Sequence, residues 1–110
     1  MSIEQTNIVD VVSVDRDSGD LLITVSDHLP WDQEEDRHLL LLQEKLNAYL
    51  RFVESGEVMK KFPDANSRNI VINVVGKFPL SVKAKMFFEQ AGSAIRAAGF
   101  DLRFSPFRSH

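Results

Sequence analysis

The segment SDHLPWDQEED, Ser26 to Asp36, gathers the side chains best suited to chemistry. Asp27 beside His28 could hold an imidazole for general-base work, and Trp31, the single tryptophan, could wall a ligand site. Such a site also needs a nucleophile, an electrophile or a substrate pocket, and the sequence identifies none. The same residues serve equally as a joint between a strand and a helix. In that reading Trp31 and Leu29 cover the core edge, Pro30 stiffens the turn, and Asp32 caps the helix. The joint is preferred, with His28 serving packing or a local hydrogen bond through Asp27. No residue is assigned as catalytic.

Other constellations are weaker. Glu35 and His38 stand at the i, i+3 spacing that di-metal bundles use, but such sites need a second pair and further carboxylates. DRDSGD resembles a calcium loop, yet its glycine is one place early and its twelfth position is Ser26 instead of a bidentate glutamate. No metal and no cofactor is therefore expected. Lys60, Lys61, Arg68, Lys77, Lys83 and Lys85 could form a basic patch, but no glycine-rich phosphate loop accompanies them. The stacking aromatics of an RNA-binding sheet are missing as well, so nucleic acid is disfavoured as a partner.

Charge is unevenly spread. Residues 1–57 carry 4 basic and 13 acidic side chains, whereas residues 58–110 carry 9 and 3. Within one small domain the two halves are expected to pack side by side and largely cancel. The 110 residues suffice for one domain with a single core, and there is no cysteine for a disulfide or a thiolate site. MSIEQTN has neither a basic nor an apolar leader region, and the longest apolar run, Leu39 to Leu42, is far short of a membrane span. A cytoplasmic protein is expected, one domain over residues 1–110, with tails at 1–7 and 105–110.

The elements that must position these residues follow from periodicity. Ile8 to Val14 and Leu21 to Ser26 read as a β-hairpin across DRDSGD. A three-residue loop, Asp17 to Gly19, would pair Arg16 with Asp20 and send Val9 and Val11 to the core beside Leu21, Ile23 and Val25. It would also keep Asp10 out of the core, where a carboxylate is costly. Asp32 to Ser55 reads as a helix with Leu39, Leu42, Leu46, Tyr49, Leu50 and Val53 on its buried face and Gly56 as its stop. A connector, EVMKKFPDANSRN, with room for one helical turn before Pro63, leads to a strand at Asn69 to Phe78. Ser81 caps a second long helix to Ala98, Gly99 and Phe100 end it in a Schellman motif, and FDLRF forms the last strand.

The order ββαβαβ predicts an α+β two-layer sandwich. Its four-stranded mixed sheet is expected in the order 2-1-3-4 with both helices on one face. The other face would then carry Val12, Val14, Leu22, Val71 and Val75 among polar residues, an apolar patch that calls for a cover. That cover could be a second copy, another protein, or the SPFRSH tail with Phe107.

SDHLPW, LLQEKLNAYLRFVESGE and FDLRF together resemble a family of small bacterial proteins, a domain of unknown function. Its blocks are Ser-Asp-His-Leu-x-Trp and Leu-Gln-Glu-Lys-[Leu/Ile]-Asn-x-Tyr-Leu, and its motif residues here are Asp27, His28, Trp31, Gln43, Glu44, Asn47, Tyr49, Glu54 and Gly56. The likeness runs from about Val25 to Phe104. It implies a bacterial cytosolic protein and supplies no activity. The expectation is a non-catalytic interaction module that forms a homodimer or docks an unknown protein partner through the uncovered sheet face. The alternatives are a small enzyme or ligand-binding protein using Asp27, His28 and Trp31, and a nucleic-acid-associated protein.

Overall fold

The computed structural model describes residues 11–65 and 67–107. Strands β1 (Val11–Val14) and β2 (Leu21–Asp27) are followed by helix α1 (Glu35–Glu54), a short helix α2 (Glu57–Lys61) and a 3-10 turn at Pro63–Ala65. Strand β3 (Ile70–Gly76), helix α3 (Val82–Ala97) and strand β4 (Asp101–Pro106) complete the chain. The fold is α+β, and its mixed sheet has the order β1-β2-β3-β4. β1 runs antiparallel to β2, while β2, β3 and β4 are mutually parallel. α2 is the helical turn expected in the connector before Pro63, an element that the order ββαβαβ leaves uncounted.

The expected order 2-1-3-4 is corrected: β2, not β1, is the strand beside β3. β2 pairs with β3 along all of Leu21 to Asp27, and its alternate residues Leu21, Ile23 and Val25 are buried. Such a strand belongs inside a sheet, whereas β1, with Ser13 and Val14 exposed, suits an edge.

The hairpin loop is also corrected, from three residues to four. Asp15 N–H donates to the Asp20 carbonyl, and the Asp15 carbonyl accepts from Gly19 N–H, so Arg16 to Gly19 form the loop. The Asp15 carboxylate accepts from Asp17 N–H, and Gly19 supplies the left-handed conformation at φ 77°. Arg68 Nη1 donates to the Gly19 carbonyl from across the chain, at 2.7 Å. One added loop residue exchanges the faces of β1. Val12 lies opposite Ile23 and Val14 opposite Leu21, so both belong to the helix-covered side, and Ser13 shares the outer side with Leu22. Val9 and Asp10, on which the shorter loop rested, lie outside the described residues. So do the expected tail at 1–7 and residues 108–110; Ser105 and Pro106, expected in a tail, instead belong to β4.

One core lies between the sheet and the helices. Leu21, Ile23 and Val25 of β2 and Ile70, Ile72 and Val74 of β3 cluster with Leu42, Leu46 and Tyr49 of α1 and Ala84 and Ile95 of α3. Tyr49 Oη donates to the Thr24 carbonyl at 3.0 Å, tying α1 to β2. α3 begins as expected, with the Ser81 hydroxyl accepting from Ala84 N–H. It ends in the Schellman pattern: Phe100 N–H donates to the Ile95 carbonyl and Gly99 N–H to that of Arg96. No helix among the described residues is long and apolar enough to cross a membrane.

Gly76 closes β3 where no side chain fits. A Cβ there would lie 2.5 Å from Cε1 of Phe104, whose ring packs edge-on against Phe88. Gly76→Ala is therefore expected to cost about 1–3 kcal/mol through overpacking, read by urea denaturation. Gly76→Ala combined with Phe104→Leu should recover part of that loss.

Candidate functional site: the joint between β2 and α1

Alternation along β2 puts Asp27 on the same side as Leu21, Ile23 and Val25, facing the helix layer. Its carboxylate Oδ1 accepts from Leu29 N–H at 3.1 Å, which bends the chain off the strand. Oδ2 lies 2.6 Å from Nε2 of His38, one turn inside α1. The other ring nitrogen, Nδ1, lies 3.2 Å from the Pro30 carbonyl oxygen. Trp31 stacks on the imidazole with centroids 3.5 Å apart and planes 14° from parallel. The Asp27 and His38 side chains are each 2 % exposed, and Trp31 is 7 % exposed.

The proton inventory follows from these partners. A carbonyl only accepts, so Nδ1 of His38 is a donor. One further proton lies between Nε2 and Oδ2, as both contacts are hydrogen bonds. In a catalytic triad, one imidazole nitrogen is held by a carboxylate and the other faces the substrate. Here Pro30 occupies the second nitrogen and Trp31 covers a ring face. The cleft beside this group, between Leu29, Gln33, Arg37 and Leu41, is about 100 Å³, below the size of an ordinary ligand pocket. The arrangement fastens a strand to a helix.

The same contacts correct the helix start. α1 begins at Glu35, so Asp32 does not cap it; the N-cap position is Glu34, with no side-chain cap and a left-handed φ of 48°. A helix running from Asp32 would leave Trp31 and His38 two turns apart, roughly 10 Å along the axis, and could not stack their rings. The non-helical run from Trp31 to Glu34 folds the indole back under His38. Asp32→Ala should then leave stability nearly unchanged. Glu34→Gly, which relieves a β-carbon in left-handed backbone, should raise it by about 1 kcal/mol in chemical denaturation.

The structure thus brings together Asp27 and Trp31 of the expected residues, adds His38, and leaves His28 exposed. Glu35 is half-buried and is not a partner of His38. Among the described residues no three His, Cys, Asp or Glu side chains converge on a metal position. Lys45 is a residue the sequence reading passed over. It is fully buried on α1, its ammonium 5.4 Å from the centre of the Tyr49 ring. The signal was present: His38, Leu42, Lys45, Tyr49 and Phe52 recur at alternating spacings of four and three, the stripe of a buried helix face.

The outer sheet face holds less than expected. Val12 and Val14 leave it, Val71 is already buried within the chain, and Leu22 and Val75 are half-buried. Asn73 is buried there too and accepts from the Ser105 hydroxyl at 3.0 Å. Phe107, one candidate cover, is exposed. Of the lysines, Lys83 at the start of α3 bonds Asp36 at the start of α1, joining the basic and acidic halves. That hydrogen bond, with the charge of Asp36, raises the Lys83 pKa above its ordinary value.

No curated protein matches the chain, and no solved structure does. A family model matches residues 1–108, and the chain accordingly belongs to DUF6572, a family of unknown function.

Proposed function

We propose that the protein is a non-catalytic interaction module of the bacterial cytoplasm that self-associates or docks a protein partner on the sheet face away from the helices. The observation that carries this reading is the closure of the Asp27–His38 pair, the group in the chain best suited to acid–base chemistry. Both oxygens of Asp27 and both nitrogens of His38 are engaged inside the fold. The alternative of an enzyme or ligand site on Asp27 and His28 loses its carboxylate to that pair. On the docking face Leu22 and Val75 supply apolar surface, and Thr24, Ser26 and Arg103 supply polar contacts.

Leu22→Asp and Val75→Asp test this in the full chain. Each should weaken association in sedimentation, while far-ultraviolet circular dichroism keeps its native shape. His28→Ala should leave association intact. Association unchanged by both aspartates would remove the sheet face as the surface. A small molecule that stabilises the wild type but not His28→Ala would replace the module with a ligand site.

A further inference from the structure

β4 is an edge strand: among the described residues its one strand neighbour is β3. Phe107 N–H donates to the Gly76 carbonyl, which fixes the phase of the parallel ladder. Odd-numbered residues of β4 turn their backbone groups to β3, and Leu102 and Phe104 turn theirs to the open edge. Pro106, with no N–H to offer, falls on that open side too, as a proline in an edge strand should.

Phe100-Asp101-Leu102-Arg103-Phe104 is symmetric about Leu102 in size and antisymmetric in charge. We propose that β4 pairs antiparallel with β4 of a second copy about a twofold axis at Leu102, joining two sheets into one of eight strands. This goes beyond the sheet-face reading and rests only on its self-association clause. In this register the two Leu102 residues exchange N–H and C=O bonds, and each Phe104 N–H meets the Phe100 carbonyl of the other copy. The Phe100 N–H is already held by Ile95, so four backbone bonds form in all. Asp101 then lies opposite Arg103 at the closer, non-hydrogen-bonded positions, about 4.5 Å apart at Cα, and the charges match on both sides of the axis. Neighbouring registers are worse. An axis at Arg103 opposes two guanidinium groups, and one at Phe104 sets Leu102 against the missing donor of Pro106. On the helix side Phe100, Leu102 and Phe104, each half-buried in one copy, gain an apolar neighbour.

α3 fits the same axis. Its residues Phe87, Gln90 and Ala94 line the groove toward α1, while Lys85, Glu89 and Arg96 form an exposed stripe on the other side, with Gly92 buried between them beside the Arg96 guanidinium. Phe88 packs on Phe104, and the Ile95 carbonyl holds Phe100, so the intervening Gly92 is level with Leu102. Two copies of α3, antiparallel about that axis, set Glu89 against Arg96 twice. Thus the strand edge and the helix stripe select one partner, a second copy of this chain.

Sedimentation of the full chain should show a dimer. Arg103→Asp, at an exposed position, should raise the dimer dissociation constant about tenfold, as two attractive pairs become repulsive. Adding Asp101→Arg to that variant should restore most of the affinity. Since the chain has no cysteine, Leu102→Cys gives a single reporter, and oxidation should yield a covalent dimer. A dimer that ignores Arg103→Asp, and in which Leu102→Cys does not cross-link, would overturn the β4 register while self-association stands. A dimer dispersed by Leu22→Asp alone would assign the contact to the sheet face. A monomer at every concentration would overturn both forms of self-association, leaving docking of another protein as the surviving half of the function.

Discussion

His38→Ala is expected to destabilise the fold by about 3–5 kcal/mol, because it strands the buried Asp27 carboxylate without its partner. The two side chains are each 2 % exposed, so water cannot replace the lost bond without opening the joint. A domain of this size is stable by roughly 5–15 kcal/mol, so the variant should sit near the edge of folding. Urea denaturation followed by circular dichroism gives the number. Asp27→Asn is the informative companion. Its amide can donate to Nε2 while its oxygen still accepts from Leu29 N–H, and a neutral His38 still donates to Pro30. That variant should lose about 1–2 kcal/mol, a hydrogen bond's worth and no more. Leucine at both positions should lie far closer to wild type than His38→Ala does, since an apolar pair leaves no orphaned charge. Equal losses for Asp27→Asn and His38→Ala would show that packing, not charge and hydrogen bonding, holds the joint.

Trp31→Ala is expected to cost about 3–5 kcal/mol, the range for removing a large buried aromatic side chain. The indole lies 3.5 Å from the imidazole, so its loss also admits water to the Asp27–His38 pair. Trp31→Phe should recover more than half, because a phenyl ring still stacks. The chain has a single tryptophan, which gives an independent readout. Fluorescence of Trp31 should shift to longer wavelength when His38 is replaced, before global unfolding. A native-like emission spectrum in His38→Ala would mean that the indole is seated by other contacts.

The strand and helix layers were legible because alternation in β2, the apolar run of β3 and the caps of α3 are local signals. Ser81 and Gly99-Phe100 each specify their geometry through residues within a turn of themselves. Sheet order and hairpin loop were not legible in that way. A three- and a four-residue loop differ by one residue, and the decision involved Arg68, which reaches the Gly19 carbonyl from 49 positions away. The joint was half legible. Ser26 to Asp36 stood out, and Trp31 was expected to be buried, but Asp27 was matched to its sequence neighbour His28. Consecutive residues at the end of a strand point to opposite faces, so the partner had to come from another element. His38 was weighed only as a metal ligand beside Glu35, and Lys45 was passed over, for a related reason: polar side chains on a buried helix stripe look like the solvated face unless their spacing is weighed before their chemistry.

The Asp27–His38–Trp31 joint spans only twelve residues, and this bears on the order of events during folding. Closing so short a loop takes on the order of 10–100 ns, whereas β2 must wait for β3, more than forty positions away, before the sheet can form. The joint can therefore hold the end of β2 against the first turn of α1 while the rest of the chain is still searching. If it does so at the rate-limiting barrier, changes at Trp31 and His38 slow refolding nearly as much as they reduce stability, with φ-values near 1. Changes in β4, the last strand in the chain and outside the joint, would instead speed unfolding. A contact that resembles a catalytic pair would then act as the clasp from which the molecule is assembled.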